Sequence, residues 1–407
     1  MRSEAKGNRG RLAASLVLLA ALGATGCGHF SGAGPVEEVA IEPAAPARTS
    51  DDLGPDVRPL SLGPGDKSSP RISPSGDRIA FVLDGSVVEK SLYNQDLRRR
   101  TGQELPATSA EWISEEDLVV LSPEEGAEGD EAGALFFVQP GDRASELASG
   151  VQATGTQADG GAVSAIVEMA RRDNAKTALL RVWAEGEAAR LFPVNLRGRV
   201  TGLSLSRDGR EAVLAVRIDS GRDAGRVEIL TYRFFEEEPV RAALLEEGLE
   251  LIGAPQRTTR GIYFVASEEG DEEADYTLYR VPEGSEGYEP AREVGEDFVP
   301  ASVAVSPDGE SLAVLGRRNA RSPTDLYVLD LASGDLDVLT ANENMEIKTK
   351  PRDLAWSPGS DYVLLVARGM LPGPKVYSSP ARDLSSAFYN IYGVPVKMAR
   401  VAKGRAG

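Results

Sequence analysis

The sequence predicts an all-β chain: a β-propeller of four-stranded blades behind a signal peptide and a disordered tether. Three observations predict it. A turn element recurs seven times along the 407 residues, each copy is flanked by short β-rich segments, and the N-terminus has the three parts of a secretory signal.

The turn is clearest in four copies. Ser73-Pro74-Ser75-Gly76-Asp77 precedes Arg78-Ile79-Ala80-Phe81-Val82, and Ser306-Pro307-Asp308-Gly309-Glu310 precedes Ser311-Leu312-Ala313-Val314-Leu315. Ser206-Arg207-Asp208-Gly209-Arg210 and Ser357-Pro358-Gly359-Ser360-Asp361 lead into similar apolar runs. Proline presets φ at the first central turn position, and Asp-Gly supplies the reversal where φ becomes positive. A short segment before each turn (Pro70–Ile72, Thr201–Leu205, Ala301–Val305, Arg352–Trp356) completes a hairpin.

Three weaker copies lie at Glu111–Asp117, Gln157–Gly161 and Arg257–Gly261. The seven are about 40 to 50 residues apart, the period of four-stranded propeller blades. Third strands are read at Val227–Tyr232, Tyr276–Val281 and Asp325–Asp330, and a fourth at Asp337–Thr340. Seven turns give seven blades. A propeller left open at its seam exposes unpaired strand edges, so the strand around Val57–Leu62 is expected to complete the last blade.

These repeats resemble the TolB-type propeller repeat, a relative of the WD40 repeat without its Gly-His and Trp-Asp dipeptides; neither dipeptide occurs within the repeats here. The resemblance runs from about Val57 to Tyr392. The TolB propeller has six blades, which makes six the alternative count.

Ahead of the repeats, Arg2, Lys6, Arg9 and Arg11 form a cationic region, and Leu12–Leu22 is apolar but for one serine. That run is well short of the roughly 20 residues that span a bilayer. Ala24, Thr25 and Gly26 follow, and then Cys27, the only cysteine. A small-residue stretch ending at a cysteine resembles the lipobox of bacterial lipoproteins. The resemblance implies signal-peptidase recognition at Ala24, Thr25 and Gly26, and acylation of Cys27. A lone thiol cannot form an intramolecular disulfide, and acylation accounts for it. The organisation read from this is a signal peptide over 1–26, a lipidated disordered tether over 27–56, a propeller over 57–396 and a basic disordered tail over 397–407.

The formal charge is −18, and losing the four cations of the signal against Glu4 takes it to about −21. Such a body repels nucleic acid. The cations of the tail, Lys397, Arg400, Lys403 and Arg405, are read as solvated.

Catalytic groups are scarce. The only histidine, His29, falls in the tether, so a Ser-His-Asp or Cys-His site has no imidazole in the propeller. No Gly-x-Ser-x-Gly elbow, P-loop or dinucleotide fingerprint occurs. Acidic runs lie at 124–131 and 268–275. Asp271, Glu273 and Asp275 come nearest to a Ca²⁺ site, but they lack the alternating spacing and glycine hinge of a strong calcium loop. No cofactor is expected. A paired-carboxylate glycosidase would want aromatic sugar platforms, and only Trp112, Trp183 and Trp356 are present.

The function expected is a non-enzymatic, monomeric scaffold. It is anchored to the cell membrane or outer membrane on the extracytoplasmic side, where it binds a protein of the envelope. The lipid anchor joined to a propeller also resembles, distantly, the LpqB-type lipoproteins. The alternative is a glycan- or Ca²⁺-dependent propeller, either ligand-binding or glycan-active.

Overall fold

The computed structural model describes residues 57–94, 96–123, 133–141, 143–156, 164–172, 175–183, 190–236, 238–268, 276–295, 297–340, 342, 345–369 and 387–396. Among these are 28 strands and two single 3₁₀ turns. Every strand pair is antiparallel.

β1 (Arg58–Ser61) leads into the first blade, a meander of β2 (Lys67–Ile72), β3 (Arg78–Leu83), β4 (Ser86–Ser91) and β5 (Leu97–Arg99). A seven-stranded sheet follows: β6 (Ser109–Trp112), β7 (Leu118–Ser122), β8 (Gly133–Gln139), β9 (Arg143–Thr156), β10 (Ser164–Arg172), β11 (Ala175–Trp183) and β12 (Arg190–Asn195). It contains two blades that share one strand. The first part of β9 pairs with β8 as far as Val151, and Val151–Thr156 pairs with β10.

The fourth blade is β13 (Gly198–Leu205), β14 (Glu211–Ile218), β15 (Val227–Arg233) and β16 (Val240–Leu244). The fifth is β17 (Leu249–Thr258), β18 (Gly261–Glu268), β19 (Thr277–Pro282) and β20 (Glu289–Pro290). The sixth is β21 (Val299–Val305), β22 (Ser311–Arg317), β23 (Thr324–Asp330) and β24 (Leu336–Val338). The last sheet joins β25 (Met345–Ile347) and β26 (Leu354–Trp356) to β27 (Tyr362–Gly369) and β28 (Asn390–Pro395). β1 pairs with β28 as its outer strand, so the N-terminal strand closes the ring as the sequence suggested. Counted as hydrogen-bonded sheets there are six; counted as four-stranded meanders there are seven.

The repeated serine, and not only the Asp-Gly pair, builds the turns. Ser306 Oγ accepts from Ser311 N at 2.9 Å, Ser206 Oγ from Glu211 N at 2.9 Å, Ser73 Oγ from Arg78 N at 3.2 Å and Ser357 Oγ from Tyr362 N at 2.9 Å. Each hydroxyl thus satisfies the first donor of the next strand. The reversals fall at Gly76, Gly209, Gly309 and Ser360, with φ of 81°, 62°, 71° and 55°.

Several strand limits differ from the expected ones: β2 and β13 each begin three residues earlier, and two others lose expected residues for a visible reason. Arg352 and Asp353 lie in a 3₁₀ turn, Pro351–Asp353, and the strand begins at Leu354. Proline favours the first position of such a turn, and the Asp353 carboxylate is drawn away to Ser69 N at 2.8 Å. The fourth strand of the sixth blade spans Leu336–Val338 rather than Asp337–Thr340, because Leu326 N bonds Thr340 Oγ1 at 2.9 Å in place of a backbone partner. The turn at Gln157–Gly161 lies outside the described residues.

The core sits between the blades, where wholly apolar strands face one another. One cluster joins Ala313, Leu315 and Leu326 of the sixth blade to Leu354, Val363 and Tyr392 of the last. Another joins Val213, Ala215 and Ile229 to Ile262, Phe264 and Val281. Each fully buried side chain of this kind contributes roughly 1.5–3 kcal/mol.

Candidate functional site: the propeller axis, its seam and the blade edges

The inner strands of most blades carry a β-bulge. Pairing shifts occur at Ser68/Arg71 in β2, Val200/Gly202 in β13, Ile252/Gln256 in β17 and Pro300/Ser302 in β21. In the last blade the six residues from Lys348 to Asp353 separate β25 from β26. Bulges bend a strand and re-aim its side chains. The Pro351–Asp353 turn of this segment contacts β2, β17 and β21 as well as β27 of its own blade, and so projects against the inner strands of the first, fifth and sixth blades. Gly253 receives Pro351 so closely that a Cβ there would lie 2.6 Å from Pro351 Cγ.

Around this turn lies an ionic network that the sequence reading did not single out. Arg71 Nε bonds both oxygens of Glu111, at 2.7 and 2.8 Å, and its Nη1 donates to Arg352 O at 2.9 Å. Trp112 Nε1 donates to Arg71 O at 3.1 Å. Burial pushes the Glu111 carboxyl above its usual range, and Arg71 opposes it. Asp353 is 1% exposed. Its carboxyl is also pushed up by burial, against the bond from Ser69 N and the charges of Lys348, Arg352 and Arg71.

Beside the axis is the closure seam. The ammonium of Lys67 is buried and donates to Gly63 O and Asn390 Oδ1, each at 3.0 Å. Tyr389 lies between two cations, with Lys348 Nζ 4.4 Å and Arg368 Cζ 4.7 Å from its ring centroid. Its hydroxyl donates to Glu346, which also pairs with Arg368 at 2.8 Å. Burial and then the Glu346 contact push the Tyr389 phenol up to about 12.

Concave surface is found at the blade edges. A groove of about 1030 Å³ runs along β16 towards Tyr279 and Tyr288. A second of about 1030 Å³ lies between the outer parts of the fifth and sixth blades, bounded by Tyr276, Arg292 and Phe298. A smaller one of about 510 Å³ is lined by Glu211, Arg233, Phe235 and Arg257.

Ala24, Thr25, Gly26 and Cys27 lie outside the described residues, as do Asp271, Glu273 and Asp275. Among the described residues, no group of three or more His, Cys, Asp or Glu side chains is placed to hold a metal ion. None of the described helices is long and apolar enough to cross a membrane.

No protein-family model and no curated protein matches the chain. Solved structures do. An oligogalacturonate lyase in complex with manganese is similar, with a TM-score of 0.52 and 11% identity, over 86% of this chain and 95% of that one. A puromycin-hydrolyzing peptidase of Mycobacterium tuberculosis gives a TM-score of 0.50 at 12% identity, over 75% of this chain. The chain spans about half the length of that peptidase, 51%. TolB from Acinetobacter baumannii gives 0.40 at 13% identity, over 82% of this chain and 79% of that one. At these identities the likeness is one of fold.

Proposed function

We propose that the chain is a lipid-anchored, non-enzymatic β-propeller of the cell envelope that binds a protein partner. Acyl chains on Cys27 hold it to a membrane on the extracytoplasmic side, and residues 27–56 are the tether. Each buried CH₂ of such chains contributes about 0.8 kcal/mol, so several chains on one residue anchor stably. The observation that carries the binding role is the axis. The chain's own Pro351–Asp353 turn projects there from the last blade against β2, β17 and β21, pinned from β2 by Ser69 and Arg71. The surfaces left for recognition are the faces and blade edges, where loops of successive blades converge.

Crosslinking in native membranes tests the partner: one stoichiometric protein is expected, and recovery of none, together with turnover on a panel of glycans, overturns the reading. Cys27→Ser tests the anchor. It should abolish labelling by an alkyne fatty acid and move the protein from the membrane to the soluble fraction.

A further inference from the structure

The groove along the fourth blade has three features that together select a ligand. Its wall is β16, the last strand of its sheet, with no strand on its outer side among the described residues. Its floor is aromatic. The outer strand of the fifth blade, β20, is only two residues long, and Tyr279 and Tyr288 line the groove beside it, half-buried. They pack at 5.2 Å in an edge-to-face pair, Phe264 stacks on Tyr279 at 5.4 Å, and Glu246 N donates to Tyr288 Oη at 3.1 Å. Its rim is acidic, with Glu238, Glu246 and Glu286 all exposed. The arginines in the lining, Arg197 and Arg241, are already spent on the buried Glu228, at 2.9 and 3.1 Å.

We propose that this groove takes an extended, basic segment of a partner protein. The segment adds to β16 as a further strand and lays lysine or arginine side chains over the tyrosines and against the three glutamates. The proposal rests on the reading of the chain as a protein-binding module and names the chemistry of its partner. An added strand gains main-chain hydrogen bonds along an open edge, and every second side chain faces the receiving surface. Cations over tyrosine faces are attracted by the ring quadrupole. The acidic rim attracts such a segment before contact and disfavours an acidic one.

The test uses the full chain and two fluorescein-labelled ten-residue probes, one alternating lysine with valine and one alternating glutamate with valine. The lysine probe should bind at least about tenfold more tightly than the glutamate probe. It should also slow amide exchange within Val240–Leu244. The double variant Glu246→Gln/Glu286→Gln should melt as the parent does and bind the lysine probe about fivefold more weakly. Equal binding of the two probes, or protection away from β16, overturns the proposal. So does binding that requires deletion of residues 397–407, which would make the chain's own tail the occupant, or protection of β16 by self-association alone. The probes decide the groove separately from membrane crosslinking. A partner captured equally by parent and double variant overturns the groove and leaves the scaffold reading standing.

Discussion

Lys67 Nζ donates to Asn390 Oδ1 at 3.0 Å across 323 positions of sequence, and this bond joins the first blade to β28 of the last. The ammonium is buried and also donates to Gly63 O at 3.0 Å, while Gly63 N donates to the same Asn390 oxygen at 3.3 Å. Removing one partner of a buried charged bond strands the others, at a cost of about 2–4 kcal/mol. Lys67→Met and Asn390→Leu should each lower stability by that amount in urea titrations, and the double variant should cost well under the sum. Full additivity would mean that the two residues do not act as one lock.

The seam also marks how far the sequence could be read. Hairpins are local, so the turns at Ser73, Ser206, Ser306 and Ser357 and their flanking strands could be found from residue type and spacing. The repeat of serine was visible too, although its bond to the backbone five residues on was not read from it. Closure by β1 followed from the need to cover an edge. The shared strand β9 could not be found this way, because whether one long strand serves two sheets depends on where both partners lie. Lys67, Arg71, Glu111 and Asp353 look like surface polars in sequence. Their partners lie in other blades, as Asn390 does for Lys67 and Glu111 for Arg71, and such contacts, like that of Pro351 with Gly253, have no local signature.

That contact can be measured with a matched pair of glycines. Gly253 has φ of 74°, and an added Cβ would meet Pro351 Cγ at 2.6 Å. Gly248 has φ of 84° and nothing within 4 Å of the same atom. Gly248→Ala should cost only the backbone strain, about 1–2 kcal/mol. Gly253→Ala should cost that plus an overpacking penalty of about 1–3 kcal/mol. Equal losses in calorimetry would show that the turn does not press on β17.

Ion pairs in this protein should differ sharply in worth. Glu89 is 6% exposed and holds Arg100, itself 1% exposed, at 2.5 Å, and Arg78 at 3.0 Å. Glu89→Gln leaves the Arg100 charge buried without its carboxylate and should cost about 3–5 kcal/mol. Glu250 is exposed and pairs at 3.0 Å with Arg217, which is partly exposed. Glu250→Gln should cost no more than about 1 kcal/mol, and 0.5 M salt should erase the effect.

Asp353 gives the fold a pH signature. Burial raises its carboxyl above the ordinary value of 3.8, against the pull of Ser69 N, Lys348, Arg352 and Arg71. For an acid raised in the folded state, the folded protein binds the proton more tightly than the unfolded chain does. The cost of the buried charge is therefore fully present above the folded value. It is relieved as pH falls through that value towards 3.8. Asp353→Asn keeps an oxygen to accept from Ser69 N and has no proton to gain. In urea titrations from neutral pH downward, the parent should therefore gain stability relative to Asp353→Asn, and the difference should level off near the unfolded value. A difference that stays flat with pH would show that this carboxylate is as well solvated as an ordinary one, and one that grows in the variant's favour on acidification would show that Ser69 N and the nearby cations outweigh its burial. Either outcome would overturn the prediction that burial dominates at Asp353.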